Sequence, residues 1–290
     1  MENERYGIDK LTLIAISILA WSSVNILHEI VGHAGSAALM GIPVHAVSTT
    51  TFYSEWGPMN TLTQSNIVNS SGPMMNLITG TLALVGLKSS RVTRSSTKYF
   101  LWLFATFSFI LVTVNFVSAP LMQGGDFHEI IIRADQPEVW KPVIIGIGII
   151  LTVVGYILPL RLWMPNLQGN RRALIVITVV PVLVAIIAQT LSLIGSPFAK
   201  LPPDQNHLLA SVFAFAHFVL WAILVNVLPV PRSRYPQKQI NLPRSNAVIV
   251  MGLVAALFFI GVLGPGLGPL EEDPRLEWFA GYLRLFKTLL

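Results

Sequence analysis

Seven long apolar runs, each near the roughly 20 residues a helix needs to cross a bilayer, fill most of this chain, at about 11–40, 67–87, 99–120, 142–160, 172–195, 207–230 and 246–264. Charge is scarce to match. Only 11% of the 290 residues are charged and 53% are hydrophobic, against roughly a quarter charged in an ordinary soluble protein. That leaves too little polar surface to cover a water-soluble globule. The expected fold is an all-α polytopic membrane protein of about seven transmembrane helices, with membrane lipids as its first partner. The opening segment, MENERYGIDK, mixes acids with bases and leads into a span longer than a signal-peptide core, so the first span is expected to be retained.

The basic residues set the expected orientation. Arg5 and Lys10, Lys88, Arg91, Arg94 and Lys98, Arg161, Arg171 and Arg172, and Arg232, Arg234, Lys238 and Arg244 all fall on one side of a seven-span chain, thirteen of the 19. By the positive-inside rule the N-terminus is cytoplasmic and the C-terminus is not. The same clustering between spans accounts for the net charge of +5, so no nucleic-acid partner is expected. The Trp and Tyr residues near span ends read as interface anchors.

The first connection, 41–66, holds β-branched and aromatic residues bounded by Gly57-Pro58, which predicts a short hairpin or re-entrant segment. The third connection starts at Gly124-Gly125 and brings Asp126, His128 and Glu129 to the same face of the membrane. After the Gly/Pro stretch near 264, Asp273 and Pro274 read as a helix start, and apolar residues recur every three or four positions to Leu290. An interfacial amphipathic helix is expected there.

His28-Glu29-Ile30-Val31-Gly32-His33, late in the first run, is the strongest local signal. Ionisable groups in a span are costly without a role. Two histidines four apart lie about 40° from each other on an α-helix, and the Glu after the first can act as general base beside a metal. Here they are five apart, about 140°, and a regular helix would aim them at different faces. A π-bulge near Gly32 and Gly35 would bring them together. Alternatively the two rings bind different partners, or all three side chains serve as polar helix-end residues bonded to loop groups. The chain has no cysteine, so any metal must be held by His, Asp or Glu.

Taken with Ser71-Gly72-Pro73-Met74-Met75-Asn76, read as opening the second core helix, and with Asn115, Pro120, Leu121, Gly124, Gly125 and Asp126, this motif resembles the site-2 protease family of intramembrane zinc metalloproteases. The resemblance covers roughly residues 15–130. It differs from the family in the HExxxH spacing and in an Asp that follows the Gly pair instead of preceding it. It implies a three-helix metalloprotease-like core at 1–135, to which the apolar runs add four further helices at 136–270 and the interfacial helix at 271–290. It also implies one zinc ion on His28, His33 and Asp126, with His128 as the alternative third ligand. Glu29 would be the general base, and Asn76 would donate to the developing oxyanion or act as interhelical glue. Iron, manganese and cobalt also suit such a ligand set.

The implied activity is zinc-dependent hydrolysis of a membrane-embedded or interface-proximal peptide, at a site toward the non-cytoplasmic face. Two alternatives remain open at this point. One is a non-proteolytic metal-binding membrane protein such as a transporter, sensor or assembly subunit. The other is a metal-dependent enzyme acting on a lipid or apolar small molecule. Elsewhere, His45 reads as a solvent-facing loop residue, and His217, Gln189 and Asn226 read as interhelical hydrogen-bonding groups.

Overall fold

A computed structural model describes residues 7–54, 61–163, 171–194, 207–227 and 241–267; the interfacial helix expected at 274–290 lies outside them. The chain is mostly helical. Asp9 starts the first helix, its carboxylate accepting from the backbone N–H and the hydroxyl of Thr12, both at 2.9 Å. The helix runs as α1 (Lys10–Ile26), a π-helical segment (Leu27–Ala34) and α2 (Gly35–Leu39). A hairpin of β1 (Val44–Val47) and β2 (Phe52–Ser54) follows, antiparallel, with an irregularity between Val44 and Ala46. The short strand pair expected in the first connection is therefore present.

Next come α3 (Leu62–Lys88), α4 (Ser95–Thr113), a second π segment (Val114–Ser118), α5 (Ala119–Met122) and α6 (Asp126–Ile132). The remaining helices are α7 (Pro137–Trp163), α8 (Arg171–Ile194), α9 (His207–Val227) and α10 (Asn246–Phe258), the last ending in a third π segment, Phe259–Leu263. Among the described residues, five helical stretches are long and apolar enough to cross a membrane: Lys10–Leu39, Ser95–Met122, Pro137–Trp163, Arg172–Ile194 and Asn246–Leu263. Helix α3 has the length but not the apolarity, because Ser, Thr and Asn residues interrupt it.

Helix α3 also begins earlier than the apolar run that marks it. Thr61 and Gln64 form a reciprocal capping box, each side chain bonding the other residue's backbone N–H. Pro73, expected near the helix start, therefore lies well inside it.

Backbone contacts at the two ends show how the helices alternate. The start of α1 meets the start of α10, where the Asp9 N–H donates to the Leu242 carbonyl at 2.8 Å and the Ser245 N–H to Thr12 Oγ1 at 3.0 Å. At the other end Val47 and Leu267 exchange two backbone hydrogen bonds of 2.8 Å, and Thr49 Oγ1 meets Ser192 Oγ at 3.0 Å. Helices α1, α8 and α10 thus run the same way and finish beside the hairpin.

Helix α4 is central. The most apolar window of the stretch it heads is 78% buried, against 17% for those of α7 and α10, whose exposed residues, such as Ile150 and Leu257, are apolar. Around α4 the rings of Tyr99, Trp102 and Trp163 pack with centroids 5.8–5.9 Å apart, Trp102 stacking on the other two, and Trp21 meets Phe107 and Phe218 edge-on. This corrects the expectation of interface anchors for Trp21, Trp102, Trp163 and Trp221, all of which are buried. An indole can go inside when its N–H finds a partner, and Trp102 Nε1 donates to the Pro159 carbonyl at 3.1 Å.

Candidate metal centre

The five-residue spacing between His28 and His33 is accommodated by the backbone. In a π turn the hydrogen bond closes residue i with i+5, so side chains five apart share a face; the Gly35 N–H accordingly reaches the Ile30 carbonyl. His28 and His33 lie in this segment with ring centroids 4.8 Å apart and planes nearly perpendicular. Their Nε2 atoms are 3.2 Å from each other.

Helix α3 crosses the π segment at its glycines. A methyl group on Gly32 would sit 2.7 Å from the Gly72 Cα, and one on Gly72 would overlap Nε2 of His33 and lie 2.8 Å from Nε2 of His28. Backbone therefore touches backbone, and the rings rest over bare Gly72. Ser36 Oγ and Ser71 Oγ, 2.8 Å apart, add a second tie. Pro73 cannot donate to the Asn69 carbonyl, and one residue earlier the Val68 carbonyl accepts from His33 Nδ1 at 2.7 Å.

The third arm comes from the chain after α4. Helix α5 ends at Gln123 (φ 58°), and Gly125 has φ 90°, in the region open chiefly to glycine. This turn makes Asp126 the first residue of α6. Asp126 Oδ2 lies 3.3 Å from His28 Nε2 and 3.4 Å from His33 Nε2. Packing of Phe127 on Phe116, centroids 4.1 Å apart, seats α6 on the second π segment. Arg133 pins its far end, donating to Ser65 Oγ at 2.7 Å and to Glu129 at 2.9 Å. Burial works to raise the pKa of Asp126, but the His33 and His28 imidazoles outweigh it and hold the carboxyl well below the usual carboxylate range.

His28, His33 and Asp126 each offer one ligand atom, and these atoms all lie within 4.8 Å of one another. Two imidazole nitrogens and one carboxylate oxygen form a donor set that can hold a metal ion. His128 is not in this group; it is two residues along α6, about 200° further round the helix. Glu129 is occupied by Arg133. Glu29 is buried next to His28, within electrostatic range of both histidines and Asp126, and among the described residues no side chain bonds its carboxylate.

The amide of Asn76 lies 2.9 Å from His28 Nδ1, the ring nitrogen turned away from the donor cluster. Phe52 of β2 lies parallel to the His33 ring at 6.4 Å, which puts the hairpin over the centre. The other polar residues sit apart from it. His217 pairs with Ser118 at 3.2 Å, Gln189 accepts from Trp21 at 3.2 Å, and Asn226 donates to Thr178 at 2.9 Å. His45 is a half-buried residue of β1.

The Val68 carbonyl and the Phe52 ring were not foreseen from the sequence. A backbone acceptor leaves no residue-type signal, and the aromatic content of the first connection pointed to a hairpin without showing which ring would reach the centre. No family model, curated protein or solved structure matches the chain.

Proposed function

We propose that the chain is a zinc-dependent intramembrane hydrolase, similar in design to the site-2 proteases, that cleaves a membrane-embedded or interface-proximal peptide. The observation that carries this reading is the convergence of three donor atoms from two separate stretches of chain through a π segment that offsets the extra residue between the histidines. The fit to a metal is supported by the donor chemistry and by the cradle at Gly72, which any side chain would fill. Two nitrogens, one carboxylate oxygen and no sulfur suit zinc, and iron, manganese or cobalt would also fit.

When bound, a divalent ion would supply an electrophile and lower the pKa of a neighbouring water. The protein does the rest. His28, His33 and Asp126 would hold the ion. Glu29, whose carboxylate is bonded by no side chain among the described residues, takes a proton from the attacking water and returns it to the leaving nitrogen of the peptide. The hairpin with Phe52 covers the centre and limits access of bulk water. In this reading seven helices cross the membrane, α3 and α9 included. Helix α3 carries its polar residues because it faces the centre and not lipid. The basic residues place the N-terminus in the cytoplasm and the centre toward the opposite face.

Glu29→Gln keeps the size of the side chain and removes the base. The variant is expected to bind zinc like the unaltered protein and to lose peptide hydrolysis. Cleavage at the unaltered rate would refute the mechanism. An unaltered protein that binds zinc but cleaves no peptide would favour a non-proteolytic metal-binding role.

A further inference from the structure

As it stands, the –NH2 of Asn76 faces His28 Nδ1, and Asn76 Oδ1 is buried without a hydrogen-bond partner among the described residues. The two ends of an amide have the same shape, and their neighbours decide between them. Turning the amide keeps the 2.9 Å contact and sets the carbonyl against Nδ1.

The opposite edges of the rings distinguish the two arrangements. His33 Nδ1 faces the Val68 carbonyl, which only accepts, so Nδ1 carries a proton, and in the neutral ring that a metal requires His33 Nε2 presents a lone pair. If His28 accepts from Asn76, its own proton sits on Nε2, 3.2 Å from that lone pair and 3.3 Å from the Asp126 carboxylate. The three groups then satisfy one another and exclude a cation. If His28 Nδ1–H instead donates to the Asn76 carbonyl, both Nε2 lone pairs and the carboxylate point at one place. That arrangement is stable only around a positive charge. Imidazoles that ligate metals almost always donate their other N–H to a carbonyl, carboxylate or water, and Val68 already does this for His33.

We infer that Asn76 is a positioning residue: its carbonyl accepts the Nδ1–H of His28 when a divalent metal is held, and a turn of this one amide separates the metal-free centre from the loaded one. This rests on the metal-binding part of the proposed function and not on hydrolysis. It gives Asn76 a role at the far side of His28 in place of the oxyanion contact implied by resemblance.

The test measures zinc affinity by chelator competition on the full chain in detergent, with Glu29→Gln as the common background so that hydrolysis plays no part. Asn76→Ala is expected to weaken zinc binding by about 10- to 100-fold. Asn76→Asp, of the same size but only an acceptor when ionised, is expected to match or exceed the parent. If Asn76→Asp is as weak as Asn76→Ala, the side chain acts as a donor and the inference fails. If Asn76→Ala binds as tightly as the parent, the residue does not orient His28 and the inference also fails. Should Asn76→Ala not fold, the unaltered chain decides. NMR of the cadmium-loaded protein with isotope-labelled histidine must find the His28 proton on Nδ1 and metal coupling on Nε2, and the reverse pattern overturns the inference. A parent that takes up no zinc overturns this inference together with the metal centre, whereas one that takes up zinc without cleaving peptide leaves it standing.

Discussion

Around Trp102 the helices are held apart by rings, and around Gly32 and Gly72 by almost nothing. The aromatic cluster joins α4 to α7, α8 and α9 through bulky side chains, with Tyr99 Oη donating to the Ile177 carbonyl at 2.7 Å and Trp102 Nε1 to Pro159. At the glycine crossing the π segment and α3 meet backbone to backbone, and the space saved is taken by two imidazoles. Rings contribute dispersion and buried area, which favours stability. The glycine crossing gives up that contribution in exchange for reach, because a His side chain is short and its partners must come to it. One region is therefore expected to govern whether the chain stays folded, and the other whether the folded chain holds a metal.

Substitutions in the two regions test this division. The largest loss of stability is expected for Trp102→Ala, about 3–5 kcal/mol by truncation of a buried indole, measured by denaturant unfolding in detergent. The fraction that remains folded should bind zinc as before, and a parallel loss of affinity would mean that the two regions are not separable. Gly72→Ala should do the opposite. Its methyl group meets Nε2 of both histidines, so metal analysis should find the centre empty, while overpacking lowers stability by about 1–3 kcal/mol. Ser118→Ala removes the hydroxyl facing His217. A loss of about 0.6 kcal/mol is typical for such a contact within a bundle, and zinc affinity should not change.

The smallest effect belongs to Asp9, whose pKa is held below 3.8 chiefly by the backbone N–H of Thr12. A lowered carboxylate pKa stabilises the fold above the unfolded value and ceases to do so as pH falls through the folded one. Asp9→Asn should therefore flatten the pH dependence of unfolding below about pH 4 and leave neutral pH nearly unchanged. A steep acid loss that persists in the variant would assign it to another group.

Hydropathy alone located the five long apolar helices of the described residues to within a few residues, because length and apolarity coincide in them. The start of α3 was less legible. Its capping box lies ahead of the apolar run, so Pro73 read as an opening residue when it is internal. The geometry of HExxxH could be reasoned out, since 140° of rotation leaves few ways for two rings to meet and a π turn is one of them. The approach of Asp126 followed from topology. The pairing of Asn76 with His28 and of Val68 with His33 did not, because both depend on how α3 is rotated against the π segment. That rotation is set by the Gly32–Gly72 contact, which has no periodicity to announce it.

The glycine crossing also bears on how kin of this chain would be recognised. Histidine spacing is a poor guide, since an inserted residue can be absorbed by the backbone and leave the same ligands in place. A glycine with no room for a methyl group cannot be exchanged without moving a helix. A descendant or ancestor that builds this centre should therefore keep Gly32 against Gly72 even where the intervals between its ligands have drifted, and a search pattern anchored on that pair would reach further than one anchored on HExxxH.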